Sequence, residues 1–180
     1  MPVLVSLYEA FLGDVEIEAG DAIAAERAFR RHLEIFDETG QEGFKSTAAA
    51  NLARVLCTLG RFDEAHGYAE IARNVAAEDD LMSQVFGRSA QAMVHAARGE
   101  SDEAERLARE AVQMYEGAED PRGQGAVRMD LARVLRTAGK FDDAAQAAHE
   151  ALSLYERKGN RPSAASTRAF IAELVPPGQH

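Results

Sequence analysis

The stretch Gly60-Arg61-Phe62-Asp63-Glu64-Ala65 returns further along the chain as Gly139-Lys140-Phe141-Asp142-Asp143-Ala144, and Gly99-Glu100-Ser101-Asp102-Glu103-Ala104 lies between them. An earlier relative is Gly20-Asp21-Ala22-Ile23-Ala24-Ala25. Four copies of one turn, stepped by about forty residues, mark an array whose units bury a core only by stacking on neighbours. The glycine suits a helix end because it takes positive φ without steric penalty. The two acids of the best copies suit the first turn of the next helix, where they meet the positive end of its dipole.

Working outward, the apolar periodicity predicts helices over about 3–19, 21–38, 44–59, 62–77, 81–98, 101–116, 124–138, 141–157 and 163–175. Asp21 and Ser101 are the expected caps of the second and sixth helices. The stripe of the second helix reads Ile23, Phe29, Leu33, Phe36, and that of the fifth begins at Leu81. Breaks are expected at Thr39-Gly40-Gln41-Glu42-Gly43, at Glu78-Asp79-Asp80, from Gly117 to Gly125 around Pro121, and at Lys158-Gly159-Asn160-Arg161-Pro162. Helices of this length joined by short loops lie antiparallel to their neighbours. The expected fold is therefore all-α: about nine helices in four and a half pairs, forming an αα solenoid. One domain is expected over 1–175, with repeats at about 3–39, 44–78, 81–117 and 124–158, a closing helix at 163–175 and a polar tail at 176–180.

Composition agrees with a helical array. Of the 180 residues 46% are hydrophobic, enough for a core, and only five are proline. The net charge of −10 argues against nucleic acid as a partner. A lone cysteine, Cys57, cannot close an internal disulfide and fits a reducing, cytoplasmic setting as a small buried apolar residue. The apolar start Met1-Pro2-Val3-Leu4-Val5 lacks a basic region before it and reads as helix rather than signal peptide. No apolar run is long enough to span a bilayer, so no membrane partner is expected.

Residue by residue the chain resembles a tetratricopeptide-repeat protein of a long-repeat bacterial type. The family's turn glycines correspond to Gly20, Gly60, Gly99 and Gly139, and its close-packed alanines to Ala25, Ala65, Ala104 and Ala144. The next B-helix slots hold Phe29, Ala69, Ala108 and Ala148, then His32, Ala72, Ala111 and Ala151. In the A helices the Leu-Gly pair appears as Leu12-Gly13, Leu52-Ala53, Leu131-Ala132 and Ile171-Ala172, with Gln91-Ala92 as a weak copy. The repeat is longer than the family's usual 34 residues, and tryptophan is absent. The resemblance implies a right-handed superhelix whose A helices line a concave groove for extended peptides or partner helices.

Chemistry-bearing motifs are few. No phosphate loop occurs, and Gly123-Gln124-Gly125 reads as a turn between helices. His32, His66, His95, His149 and His180 fall in separate units without metal-ligand spacing. His32 and His95 read as packing replacements, and Arg27-Ala28-Phe29-Arg30-Arg31 as a solvated basic face paired with Glu26 and Glu34. No catalytic residue, cofactor or metal is expected. The A helices from the second onward carry Lys45, Arg54, Arg88, Arg98, Arg128, Arg133, Arg136 and Arg168 against Asp130 and Glu173. Family geometry would bring Asn51, Arg54, Asp130, Arg133 and Arg136 to the groove, which suits an acidic protein segment or small anion. The first helix is instead acidic, with Asp14, Glu16 and Glu18. Its Leu4, Leu7, Tyr8 and Phe11 wrap so much of the circumference that an interface with a second copy or an upstream domain is expected. The leading functional expectation is a non-enzymatic scaffold that binds a protein segment. The alternative is a ligand-sensing module of a bacterial signalling or transcription-regulatory system.

Overall fold

A computed structural model describes residues 2–39, 44–77 and 80–174. The described residues form nine α-helices and no strand: α1 (Pro2–Ala19), α2 (Ala22–Thr39), α3 (Lys45–Thr58), α4 (Phe62–Val75), α5 (Leu81–Ala97), α6 (Ser101–Tyr115), α7 (Pro121–Thr137), α8 (Phe141–Lys158) and α9 (Arg161–Leu174). The breaker at 40–43, the acids at 78–79 and the tail from 175 onward fall outside the described residues.

The repeated turn works as its sequence suggests. Gly20, Gly60, Gly99 and Gly139 all take positive φ, and Gly159 adds a fifth. The backbone N–H one residue beyond each glycine reaches back to a carbonyl five residues earlier, as in Arg61 to Leu56 at 2.9 Å and Lys140 to Leu135 at 2.9 Å. That closure satisfies carbonyls the helix end would otherwise leave bare. Asp21 caps α2 by accepting from the Ala24 N–H at 2.8 Å. Ser101 does not cap α6; the cap position is Glu100, with no side-chain bond, and Ser101 is the first helical residue.

Small residues set how closely the helices approach. Ala53, Ala92 and Ala132 on the A helices, and Ala65, Ala104 and Ala144 on the B helices, are fully buried. Where the first unit has Gly13, a Cβ would stand 2.6 Å from the Phe29 ring, so the large Phe29 requires the glycine opposite it. One continuous core runs from Ala25 and Phe29 to Phe170 and Leu174, and a smaller cluster gathers Val85, Phe86, Tyr115 and Val127. Ile23 and Leu81 do not join it; Ile23 is 58% exposed, on the solvent side of the first turn of α2.

Two helices begin earlier than their periodicity suggests. Pro121 opens α7 and Pro162 lies in the first turn of α9. There a proline costs nothing, since its missing N–H has no intrahelical partner anyway. Gly123 and Gly125 are therefore helical rather than a loop: a Cβ on Gly125 would meet Tyr155 Cε1 at 2.6 Å, and one on Gly123 would collide with the Tyr115 ring.

Consecutive pairs α1–α2, α3–α4, α5–α6 and α7–α8 stack through α3 on α5 and α5 on α7. Curvature brings the two ends of the stack together, so that α1 touches α9. The concave side is consequently bounded by α1 and α9 at its two ends while staying open to solvent.

Candidate ligand-binding groove

Helices α1, α3, α7 and α9 surround a cavity of about 250 Å³ on the concave side, with Glu18, Arg54, Asp130, Arg133, Tyr155 and Ser163 in its wall. An adjoining chamber of about 60 Å³ shares Glu18, Arg54 and Tyr155 and adds Asp14, Asn51 and Arg122. Asn51 and Asp130 occupy the same place in their respective repeats, as do Arg54 and Arg133, each one helical turn further on. The repeat register thus sets the same pair of positions on α3 and on α7.

Asp130 is 2% exposed and holds two guanidiniums, accepting from Arg54 Nε and from Arg133 Nη1, each at 2.8 Å. Burial opposes the charge on Arg54, but the Asp130 carboxylate, by charge and by hydrogen bond, more than restores it. Arg54 also lies 4.5 Å over the Phe86 ring, a face that favours a cation. Facing this group, Arg122 reaches across to α1, with Nη2 2.6 Å from Asp14 and Nη1 3.7 Å from Glu18. Asn160, just before α9, donates to Glu18 at 2.9 Å. These contacts clasp α1 to the start of α7 and to the α9 end of the stack.

Two side chains of this wall lack a partner among the described residues. Asn51 is 8% exposed and its amide makes no hydrogen bond to a described residue. Tyr155 is 6% exposed, its ring seated against Gly125, and its hydroxyl likewise has no described partner. Burial pushes the Tyr155 phenol up to about 12, so it is a neutral donor at physiological pH. Both side chains line the smaller chamber, and Tyr155 the larger cavity as well, so their polar atoms are open to a ligand.

The structure divides the expected groove residues. Asn51, Arg54, Asp130 and Arg133 come together as the register implies. Arg136 does not join them: it lies over Phe170 at 4.5 Å and pairs with Glu173 at 3.3 Å on the rim. The other A-helix cations meet acids of neighbouring helices, as Arg88 does with Glu110 and Arg128 with Glu150. The groove therefore lacks the arginine surplus that the A helices suggest in isolation, because α1 supplies Asp14 and Glu18 to the same space. Tyr155 and Arg122 were missed by the sequence reading, Tyr155 because it sits on a B helix and Arg122 because it follows a proline read as loop. His95 is half-buried rather than core and bonds through Nδ1 to Glu100. Cys57 is buried, its thiol donating to Ala90 O at 3.6 Å and pushed up to about 12 by burial. Arg30 and Arg31 pair with Glu26, Glu64, Glu34 and Glu38 as a basic helix face should. Leu4, Leu7, Tyr8 and Phe11 are exposed, Leu4 and Phe11 to 68%. Among the described residues no group of three or more His, Cys, Asp or Glu could hold a metal ion, and no helix is long and apolar enough to cross a membrane.

A tetratricopeptide repeat family model matches residues 4–78 and 87–173. The chain belongs to the tetratricopeptide repeat family. Comparison with curated protein sequences found no match. Among solved structures this tetratricopeptide repeat protein is similar to a Rap protein complexed with competence and sporulation factor, at 15% identity and a TM-score of 0.76, covering 97% of this chain and 49% of that one. It also resembles aspartyl phosphate phosphatase F from Bacillus subtilis, at 15% identity and a TM-score of 0.65, covering 96% of this chain and 46% of that one. A kinesin light chain with nearly identical repeats from Podosopora anserina matches at 17% identity and a TM-score of 0.54, over 97% and 86% of the two chains. The chain spans about half the length of the Rap protein and of the phosphatase. At such identities the likeness is one of fold.

Proposed function

We propose that this tetratricopeptide repeat protein is a non-enzymatic binding module that holds a short polypeptide segment between α1, α3, α7 and α9. The observation that carries the reading is that the amide of Asn51 and the hydroxyl of Tyr155, neither with a described partner, stand open beside Arg54 in the chamber that adjoins the larger cavity. An amide and a phenol serve the backbone groups of a peptide well, since each residue offers one donor and one acceptor. The volume of about 250 Å³ lies under the ~300–1,000 Å³ of drug-sized pockets. An extended stretch of a few residues fits it; a partner helix, ~10–12 Å across, does not.

Affinity selection from a soluble library of two- to five-residue peptides, read by mass spectrometry, tests this. The wild-type chain should retain peptides that an Asn51→Leu, Arg133→Glu variant releases. Equal retention by both, or by neither, would show that the groove is not the site.

A second reading, a ligand-sensing regulatory module, is favoured by the clasp. A ligand that contacts both α1 and α7 changes how the ends of the stack sit, which converts occupancy into shape. The similar Rap structure shows a protein of this fold in complex with competence and sporulation factor.

A further inference from the structure

The charges of the groove are unevenly shared. On the α3–α7 wall two guanidiniums, Arg54 and Arg133, share the single carboxylate of Asp130. On the α1 side the ratio is reversed, with two carboxylates, Asp14 and Glu18, sharing the single guanidinium of Arg122. Arg54 commits only its Nε to Asp130, and its two terminal nitrogens take no acceptor among the described residues. Asp14, Glu18, Arg54 and Arg122 line one chamber together with the unpartnered Asn51 and Tyr155. The space is thus polarised, with a positive excess on one wall and a negative excess on the other.

We infer that the groove takes a dipolar ligand: a short peptide with both termini free, its carboxylate on Arg54 and Arg133 and its ammonium on Asp14 and Glu18. This rests on the polypeptide-binding reading and narrows it. A segment internal to a longer chain presents neutral amides at both ends and leaves both excesses unmatched. An acidic segment matches Arg54 and Arg133 but meets Asp14 and Glu18, and a basic one has the opposite fault. Like charges juxtaposed in a partly dehydrated site discriminate strongly, so polarity selects as well as attracts. Asn51 and Tyr155 then serve the peptide groups between the termini. Length follows from volume: the cavity of about 250 Å³ that holds Arg133 and the adjoining chamber of about 60 Å³ that holds Asp14 together take only a few extended residues.

Thermal unfolding of the full chain with an equimolar tripeptide pool tests the inference. The pool is offered with free ends, N-acetylated, C-amidated and doubly capped. Free-ended peptide at tenfold over its Kd should raise Tm by about 3–6 °C, with each cap weakening binding about tenfold. Arg133→Gln should make the chain indifferent to amidation while it still distinguishes acetylation. Glu18→Gln, which can still accept from Asn160, should do the reverse. Circular dichroism confirms that both variants are folded. A doubly capped pool that stabilises as well as the free one overturns the inference and leaves the polypeptide-binding reading standing. No shift with any pool overturns it as well; only failure of the peptide-library selection removes both.

Discussion

His32 fills a slot that holds alanine in the other repeats, at Ala72, Ala111 and Ala151. It is buried, its ring tilted against Phe36 at 4.9 Å, and its Nδ1 has no partner among the described residues. Burial holds its pKa below the ordinary 6.5, and the nearby Asp14 carboxylate only partly offsets this. The unfolded chain therefore takes up the proton first as pH falls. The His32 contribution to stability is complete above pH 6.5 and is lost progressively below it. Thermal melts between pH 7.5 and 5 should show wild-type Tm falling more steeply than that of His32→Ala, whose slot returns to the repeat's alanine. Parallel slopes would mean that His32 titrates like an exposed histidine. The acids Glu26, Glu64 and Glu105, held below 4.5 in part by hydrogen bonds from Arg30, Arg61 and Lys140, act in a separate and lower window.

At the scale of the helix, glycine has opposite meanings on the two faces. Gly67 in α4 is exposed with nothing within 4 Å of a Cβ, so it serves no packing need, and Gly67→Ala should raise stability by roughly 0.8–1 kcal/mol through helix propensity. Gly125 in α7 admits the Tyr155 ring, and Gly125→Ala places a Cβ 2.6 Å from Cε1. Overpacking of that kind costs about 1–3 kcal/mol, which lowers Tm by roughly 2–10 °C. Denaturant melts of the two variants should move in opposite directions; a tolerated Gly125→Ala would show that Tyr155 is not fixed by this contact. The α1 helix differs from its counterparts in the same register. Tyr8, Phe11 and Val15 are exposed, whereas Ala48, Asn51 and Val55 in α3, and Val127, Asp130 and Val134 in α7, are buried. Small residues in the later helices permit close stacking, and the bulk of Tyr8 and Phe11 does not.

Over the whole molecule, the contacts that shape the groove are those most distant in sequence. Arg54 and Asp130 are 76 residues apart, Arg122 and Asp14 108, and Asn160 and Glu18 142. Arg122→Glu sets a carboxylate against Asp14 and Glu18 and should part α1 from the end of the stack, visible as a larger radius of gyration in small-angle scattering. A profile identical to the wild type would show that packing of α1 on α2 alone holds the ends together. The repeat itself was legible in the sequence, because positive φ at Gly20, Gly60, Gly99 and Gly139 and tight packing at Ala65 or Ala144 are properties of single residues and recur at a fixed step. Pro121 and Pro162 were misread as breaks because a proline fits a loop and the first turn of a helix equally well. Asn51, Arg54, Asp130 and Arg133 could be assigned to the groove from register alone. Their pairing, the loss of Arg136 to the rim and the arrival of Asp14, Glu18, Arg122 and Tyr155 could not. Sequence thus determined the units and the phase of every residue within them. Tertiary structure decided the curvature, because it accumulates from small rotations between units that no single stretch encodes, and curvature alone sets which distant charges share the cavity.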